Sequence, residues 1–282
     1  MKRLCDLHTH TIASDGSFAP EESVRYAQQK GAFALAITDH DTLGGLERAV
    51  AEGERIGQRV IPGVEITTNL QGCEIHVVGL FIRWQDAAFA QRVNRLSLTR
   101  DARNQRMVQK LIDHGFNITA QDLDRFQGRV LTKAHIGQIL VERGYAANVT
   151  EAMNTFLRKG GVAYVERETP SPQETIALIH QGGGLAFVAH TNQIDKTDRD
   201  RSCQICQQLL DMGADGLETR YCEFDDNWRE RTDALAQKNA CLRSGGSDFH
   251  GSFKAGLDML TGYGDLEVPY EFVEAMEARL RK

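Results

Sequence analysis

An α/β fold built on parallel strands and interrupted by one helical insertion is what this 282-residue sequence predicts. Three observations lead there. Short β-branched runs alternate with amphipathic stretches of about 10–15 residues, the rhythm of βαβ units in a barrel or a doubly wound sheet. That rhythm lapses between residues 85 and 168, where the chain reads as helical throughout. Histidines and acids, finally, recur where the strands end.

The elements follow in order. "KRLCDL" is a first strand, and "PEESVRYAQQKG" a helix with Pro20 in its first turn and Gly31 beyond its end. "FALAIT" is a second strand, followed by a helix that fades at Gly57. "RVIPGVEITTNL" and "CEIHVVGLFI", rich in Val, Ile and Thr, are the third and fourth strands. The insertion comes next, with caps and stops around Asn117, Thr132, Gly144 and Thr150. The alternation then resumes with a helix from Pro172, strand "LAFVA", a helix near 200–212, strand "GLET", a helix near 227–239 and strand "ACLRS".

With 41% hydrophobic and 26% charged residues, the composition is that of a globular protein large enough for one α/β domain with an inserted part. No stretch approaches the roughly 20 apolar residues of a membrane helix. "MKRLCDLHTH" lacks the apolar core of a signal peptide, so a cytoplasmic protein is expected. A net charge of −6 argues against general polyanion binding by the surface. Six cysteines are scattered along the chain. Its C-x-x-C, Cys203 to Cys206, has no second pair at zinc-site spacing and reads as reduced thiols in a helix.

Polar residues gather at strand ends. "DLHTH" puts His8 and His10 after the first strand, with Asp15 close behind. "TDHD" puts His40 after the second, flanked by Asp39 and Asp41. "GVE" ends the third on Glu65, "EIH" places His76 in the fourth, "FVAH" sets His190 after the fifth, and "GGSDFH" carries Asp248 and His250 after the last. In parallel α/β folds the carboxyl ends of strands share one face, where active sites lie. Six of the nine histidines therefore converge on one rim. One such histidine would be an ordinary satisfied side chain. Six, together with three carboxylates and no counter-ion, would cost on the order of several kcal/mol per buried charge. Imidazole with carboxylate suits Mn²⁺, Fe²⁺ or Zn²⁺, and no adjacent thiolate suggests structural zinc. Nine ligands are too many for one ion and fit two or three. Asp39 and Asp41 are read as supporting or capping groups rather than ligands.

Taken in this order, "HTH", "TDHD", "GVE", "EIH", "AH" and "SDFH" resemble the PHP (polymerase and histidinol phosphatase) superfamily along the whole chain. The resemblance implies a distorted (β/α)7 barrel from residues 1–84 and 169–282, with 85–168 as a helical insertion contributing to substrate binding. It implies two or three divalent ions, manganese first, with iron, zinc or magnesium as alternatives. One ion would take His8, His10, Glu65 and Asp248. A second would take Glu65, His76 and His190, with Glu65 bridging, and a third Asp15, His40 and His250. Glu65, Asp248 and His190 would stand closest to the chemistry. Many relatives read Ala-His-Pro where this chain has "AHT", so Thr191 is expected to leave His190 in place and to loosen the turn after it. Three divalent ions would bring six positive charges against three negative ones from Asp15, Glu65 and Asp248. Such a cluster attracts a phosphate dianion, and closely spaced ions stabilise attacking and leaving oxygens. Phosphoester hydrolysis is the reaction implied.

From Arg83 to Lys110 there are seven basic residues against two acidic ones. In a single helix over 86–113, Arg92, Arg95, Arg103, Arg106 and Lys110 would share a narrow face, either anion-binding or merely solvated. "LTKAH" offers Thr132 as a helix cap with His135 in the first turn, a place where phosphate binds readily. "RNQR" (103–106) and the stretch around His135 resemble the insertion of PHP enzymes that act as 3',5'-nucleoside bisphosphate phosphatases, close relatives of which trim short RNAs from the 5' end. That implies a nucleotide such as 3'-phosphoadenosine 5'-phosphate as substrate, converted to AMP and phosphate, with short RNA oligonucleotides beside it. The second phosphate would be held chiefly by Arg103, Asn104 and His135, with Arg106 and Thr132 near them. Relatives carry arginine before the insertion's histidine where this chain has Lys133, which leaves open whether Lys133 substitutes. Histidinol-phosphate phosphatase is an alternative, but its amine-bearing substrate calls for carboxylates rather than arginines. A polymerase-associated module is another, though the 282 residues hold no polymerase portion. A non-catalytic nucleotide-binding module is a third, against which the complete ligand set argues. No membrane and no obligate protein partner are expected.

Overall fold

The computed structural model describes residues 2–124, 126 and 129–281. Seven strands pair in chain order: β1 (Cys5–Asp6), β2 (Ala34–Ile37), β3 (Val60–Leu70), β4 (Cys73–Leu80), β5 (Leu185–Val188), β6 (Gly216–Tyr221) and β7 (Leu242–Gly246). The two ends of this sheet meet. Leu7 N–H donates to the Gly245 carbonyl (3.1 Å), Asp248 N–H to that of His8 (2.9 Å), and His10 N–H to that of Phe249 (2.9 Å). A nearly closed barrel results, and Val64, Ile66, Val77, Phe187 and Leu217 are fully buried in its core.

The strands fall where the sequence puts them, but one runs against expectation. β1–β2, β2–β3, β5–β6 and β6–β7 are parallel, whereas β4 is antiparallel to both β3 and β5. Only Gln71 and Gly72 join β3 to β4, at φ 53° and 82°. Two successive left-handed residues form a tight hairpin turn and leave no length for a crossover helix. The reversal serves the site. His76, near the start of β4, pairs with Thr67 near the end of β3, so it reaches the rim formed by the carboxyl ends of the other strands.

Helices cover the barrel where the sequence punctuates them. α1 (Pro20–Gln29) opens on its proline and buries Val24 and Ala27, and α2 (Leu46–Ile56) stops at Gly57, whose φ is 75°. α3 (Ala87–Asp113) is the single long helix expected from 86 to 113. The Asp86 carboxylate caps it, accepting the N–H groups of Ala88 and Phe89 (2.9 and 3.0 Å). Its first half packs Phe89 and Val93 on the barrel core. Its second half places Met107 and Leu111 in a separate apolar cluster with Ile136, Ile139, Leu140 and Leu157. That cluster gathers α3, α4 (Ala120–Asp124), α5 (Lys133–Glu142) and α6 (Val149–Ala152), the last capped by Asn148 rather than Thr150. α7 (Pro172–Gln181), α8 (Arg199–Asp211), α9 (Asp226–Lys238) and α10 (Glu271–Leu280) return to the barrel. Cys203 and Cys206 lie on α8 as free thiols, and burial pushes the Cys206 thiol up, away from reactivity. Among the described residues no helix is long and apolar enough to cross a membrane.

Candidate metal centre

Six of the seven strands, or the segments that follow them, deliver polar side chains to one rim. The segment after β1 carries His8, His10 and Asp15, that after β2 His40, that after β5 His190, and that after β7 Asp248 and His250. Glu65 lies in β3 and His76 in β4. Glu65, fully buried, is the hub. Its Oε1 lies 2.9 Å from His76 Nδ1, 2.9 Å from His190 Nε2 and 3.4 Å from His8 Nε2. Its Oε2 lies 2.9 Å from His40 Nδ1 and 3.3 Å from His10 Nε2. Asp248 Oδ1 stands 3.2 Å from His10 Nε2 and 3.6 Å from His8 Nε2. Asp15 closes the other side, its Oδ1 3.4 Å from His250 Nε2 and its Oδ2 3.9 Å from His40 Nε2. All nine residues named from the sequence thus come together.

Three overlapping sets have ligand atoms within 4.8 Å of one another: His10–Asp15–His40–His250, His8–His10–Glu65 and His40–Glu65–His76. The decisive observation is the unmet hydrogen bonding. His8 Nε2, His10 Nε2, Asp15 Oδ1, His40 Nδ1 and Glu65 Oε2 are all buried without a hydrogen-bond partner. Orphans of this kind each cost about 1–3 kcal/mol, and cations held in these sets would take up the unmet lone pairs. A donor set of imidazole and carboxylate fits divalent first-row ions. Charge agrees with geometry. Burial pushes the Asp15, Glu65 and Asp248 carboxyls up, but the imidazoles around them, and Lys254 beside Asp248, hold all three well below the usual carboxylate range. The rings divide: burial lowers His8 and His10, but the carboxylates facing them outweigh it and raise His8 well above the usual imidazole range and His10 to about 9, whereas for His40 burial prevails and lowers it to about 4.

Groups behind the ligands fix their orientation, and several were not singled out from the sequence. Glu218, buried in β6, lies 2.8 Å from His8 Nδ1, which turns Nε2 of that ring toward the cluster. "GLET" carries the same signal that singles out Glu65, an acid near a strand end. Asp248 Oδ2 accepts Lys254 Nζ (2.5 Å) and Tyr221 OH (3.0 Å), leaving Oδ1 to the histidines. Asp39 supports rather than ligates: it accepts Thr11 N–H (2.8 Å), Thr11 OH (2.8 Å) and Ser14 OH (2.6 Å), pinning the loop between His10 and Asp15. Asp41 receives Arg100 Nε (2.6 Å) from α3 and pairs with Arg167 (2.8 Å) from the far end of the insertion. The turn after His190 is not loosened. Thr191 begins a 3-10 turn (Thr191–Gln193), and its buried hydroxyl accepts the Trp228 indole N–H (2.9 Å), a bond that proline could not make.

The insertion meets this rim at a cavity bounded by Asp15, His40 and His76 on one side and by Arg100, Arg103, Thr132, Lys133 and Arg167 on the other. The basic face expected on α3 divides. Arg103 is buried in the cavity wall and Arg106 lines a second cavity that shares Arg103, Lys133 and Arg167 with the first, whereas Arg92 and Arg95 are exposed and Lys110 donates to the Tyr164 carbonyl. Asn104 is buried and ties α3 to the Leu131 carbonyl. Thr132 caps α5, its hydroxyl accepting His135 N–H (3.3 Å), while the His135 ring accepts Thr132 N–H (3.2 Å) and stacks on Phe126. His135 therefore faces its own cap, and it is Lys133, 3.4 Å from Glu74, that borders the cavity. Arg100 and Arg167 escaped the sequence reading, because neither a helix face nor a motif sets them apart before the fold brings them to Asp41.

Comparison with known proteins places this geometry. A family model described as the PHP domain matches residues 6–217. The 5'-3' exoribonuclease Rnm of Salmonella typhimurium is 33% identical over 248 residues, 87% of this chain and 84% of that protein. A phosphoribosyl 1,2-cyclic phosphate 1,2-diphosphodiesterase of Eggerthella lenta is 28% identical, with 88% and 94% covered. A 3',5'-nucleoside bisphosphate phosphatase of Chromobacterium violaceum is 27% identical, with 90% of each covered. A solved structure from Bifidobacterium adolescentis, named among metal-dependent phosphoesterases, superposes with a TM-score of 0.86 at 26% identity, covering 98% of this chain and 96% of that one.

Proposed function

The chain belongs to the PHP domain family, and from that premise we propose that it removes the 3'-phosphate of nucleoside 3',5'-bisphosphates and, more slowly, trims short 5'-phosphorylated RNAs from the 5' end. Hydrolysis of phosphoesters at a divalent-metal site is the family's chemistry; the substrate is the proposal. The cavity between insertion and rim supports it. Four cations, Arg100, Arg103, Lys133 and Arg167, border it against two acids in its wall, Asp15 on the rim side and Glu74, with Asp41 behind. Burial, and then the neighbouring Arg100, bring Arg103 down to about 10. Arg103 Nε and Arg167 Nε and Nη1 are buried without hydrogen-bond partners, beside the metal rim. An anion there would take up all three N–H groups, and phosphate suits the forked guanidinium.

A bisphosphate offers two dianions, and the two halves of the site differ. The 5'-phosphate is assigned to Arg103, Arg167 and Lys133, with the capped start of α5 at Thr132 adding its dipole. Arg167 thereby takes the part that the resemblance gave to His135, whose ring instead braces Thr132. The 3'-phosphate then falls to the histidine and carboxylate rim. Divalent ions held there by His8, His10, Asp15, His40, Glu65, His76, His190, Asp248 and His250 would acidify water and neutralise charge on the phosphate oxygens. Binding energy at the remote phosphate orients the ester, which is why the 5' group should govern rate as well as affinity.

Product analysis with 3'-phosphoadenosine 5'-phosphate, adenosine 3'-phosphate, a phosphoribosyl cyclic phosphate, histidinol phosphate and a 5'-phosphorylated dinucleotide tests this reading. The expected result is AMP and phosphate from the bisphosphate, with much slower turnover of the 3'-monophosphate. Arg103→Ala and Arg167→Ala should each lower kcat/KM by roughly 10- to 150-fold with bound metal unchanged. Equal rates with and without the 5'-phosphate, or preference for the cyclic phosphate or histidinol phosphate, would overturn it.

A further inference from the structure

His190 adopts a backbone conformation that its residue type disfavours, with φ 26° and ψ 58°. A side chain at positive φ persists only where its surroundings over-determine it. Three contacts do so here. His190 N–H donates to the Glu218 carboxylate, whose other oxygen lies 2.8 Å from His8 Nδ1. The His190 carbonyl accepts Gln193 N–H (2.8 Å), closing the short 3-10 turn. The fully buried Thr191 hydroxyl accepts the Trp228 indole N–H (2.9 Å). Trp228 is itself buried, 2% exposed in the first turn of α9, with its backbone N–H on the capping Asp225 carboxylate (2.8 Å) and its ring against Phe224.

We propose that Thr191 and Trp228 are positioning residues that hold His190 on the metal centre, so that the start of α9 acts on metal affinity although it touches no ligand atom. The inference rests on His190 being a ligand. A buried indole N–H needs an acceptor, and Thr191 Oγ1 provides one, so the bond fixes residue 191 relative to a rigid helix terminus. Residue 191 fixed on one side and Glu218 on the other leave the His190 peptide no freedom to relax toward negative φ. Its Nε2 is thereby kept 2.9 Å from Glu65 Oε1. The device is independent of substrate, since neither Thr191 nor Trp228 borders the arginine-lined cavity.

Calorimetric titration of the metal-stripped 282-residue chain with Mn²⁺ tests this. Thr191→Val keeps the shape and deletes the acceptor; Trp228→Phe keeps most of the ring and deletes the donor. Each should weaken one class of Mn²⁺ site by roughly 10- to 100-fold. Thr191→Ser, which retains the oxygen, should stay within about threefold of the unmodified protein, and the double variant should be no weaker than either single one. Activity of both deletions should recover in excess Mn²⁺ with KM for the nucleotide unchanged, a pattern that simple loss of packing would not give. His190→Ala separates the two levels of the argument. If it leaves Mn²⁺ stoichiometry intact, the ligand reading fails. If it removes a site while Thr191→Val and Trp228→Phe bind Mn²⁺ normally, the positioning inference alone is overturned. Should Thr191→Val not fold, Trp228→Phe with Thr191→Ser decides the matter in the same terms.

Discussion

Glu65 occupies the place where loss of one charge does most harm, because its two oxygens together face His8, His10, His40, His76 and His190 at 2.9–3.4 Å. No histidine answers to more than three carboxylates, whereas Glu65 answers to five rings. Glu65→Gln should therefore lower bound Mn²⁺ and kcat more than any single histidine-to-alanine change. The loss should exceed the roughly 10- to 100-fold typical of removing an outer partner. Metal content by elemental analysis alongside turnover checks this, and near-normal values for both would show that Glu65 does not join the ions. Residues of this kind were legible in the sequence because a polar group at a strand end has few other reasons to be there. Glu218 carries the same signal, but its role as partner of His8 shows only when the barrel closes through β7 and brings β6 within reach of the segment after β1. Arg167 was invisible for a different reason: its meaning lies in Asp41, more than a hundred residues earlier, and no local pattern joins them.

At the scale of elements, one buried carboxylate of the barrel ties down both the first helix of the insertion and its far end. Asp41 follows His40, adopts φ 52°, donates its N–H to the Glu65 carbonyl (2.8 Å) and receives Arg100 from α3 and Arg167 from the returning strand of chain. Burial pushes the Asp41 carboxyl up, but the two guanidinium groups outweigh this and hold it below its ordinary value. Asp41→Asn leaves two buried cations facing a neutral amide, which should cost about 3–5 kcal/mol of stability by urea unfolding. A loss under 1 kcal/mol would mean that water reaches the pair and that the fastening is weak. The elements themselves were largely readable: seven strands, and the long α3 from residue 86. Strand direction was not, although "LQGC" held the clue. Two turn residues between β-branched runs specify a hairpin, and the alternation elsewhere in the chain concealed it. The helical face of α3 misled in part, because helix periodicity groups Arg92 and Lys110 with Arg103 and only packing against the barrel separates them.

For the whole molecule, a barrel whose rim gathers nine ionisable side chains, seven of them buried, is on this proposal a structure completed by what it binds. An ion that binds the folded chain alone adds about 2.7 kcal/mol of stability at a hundredfold excess over its dissociation constant. At roughly 2–4 °C per kcal/mol for a chain of this size, Mn²⁺ should raise the Tm of the stripped protein by at least about 5 °C, and a chelator should reverse the rise. The fold, the rim and the insertion's cations are all arranged around that cluster of histidines and carboxylates, so counting the ions it binds is the most direct trial. After equilibrium dialysis against Mn²⁺ and removal of free metal, elemental analysis should find two or three ions per chain. One ion per chain, or none, would contradict the account.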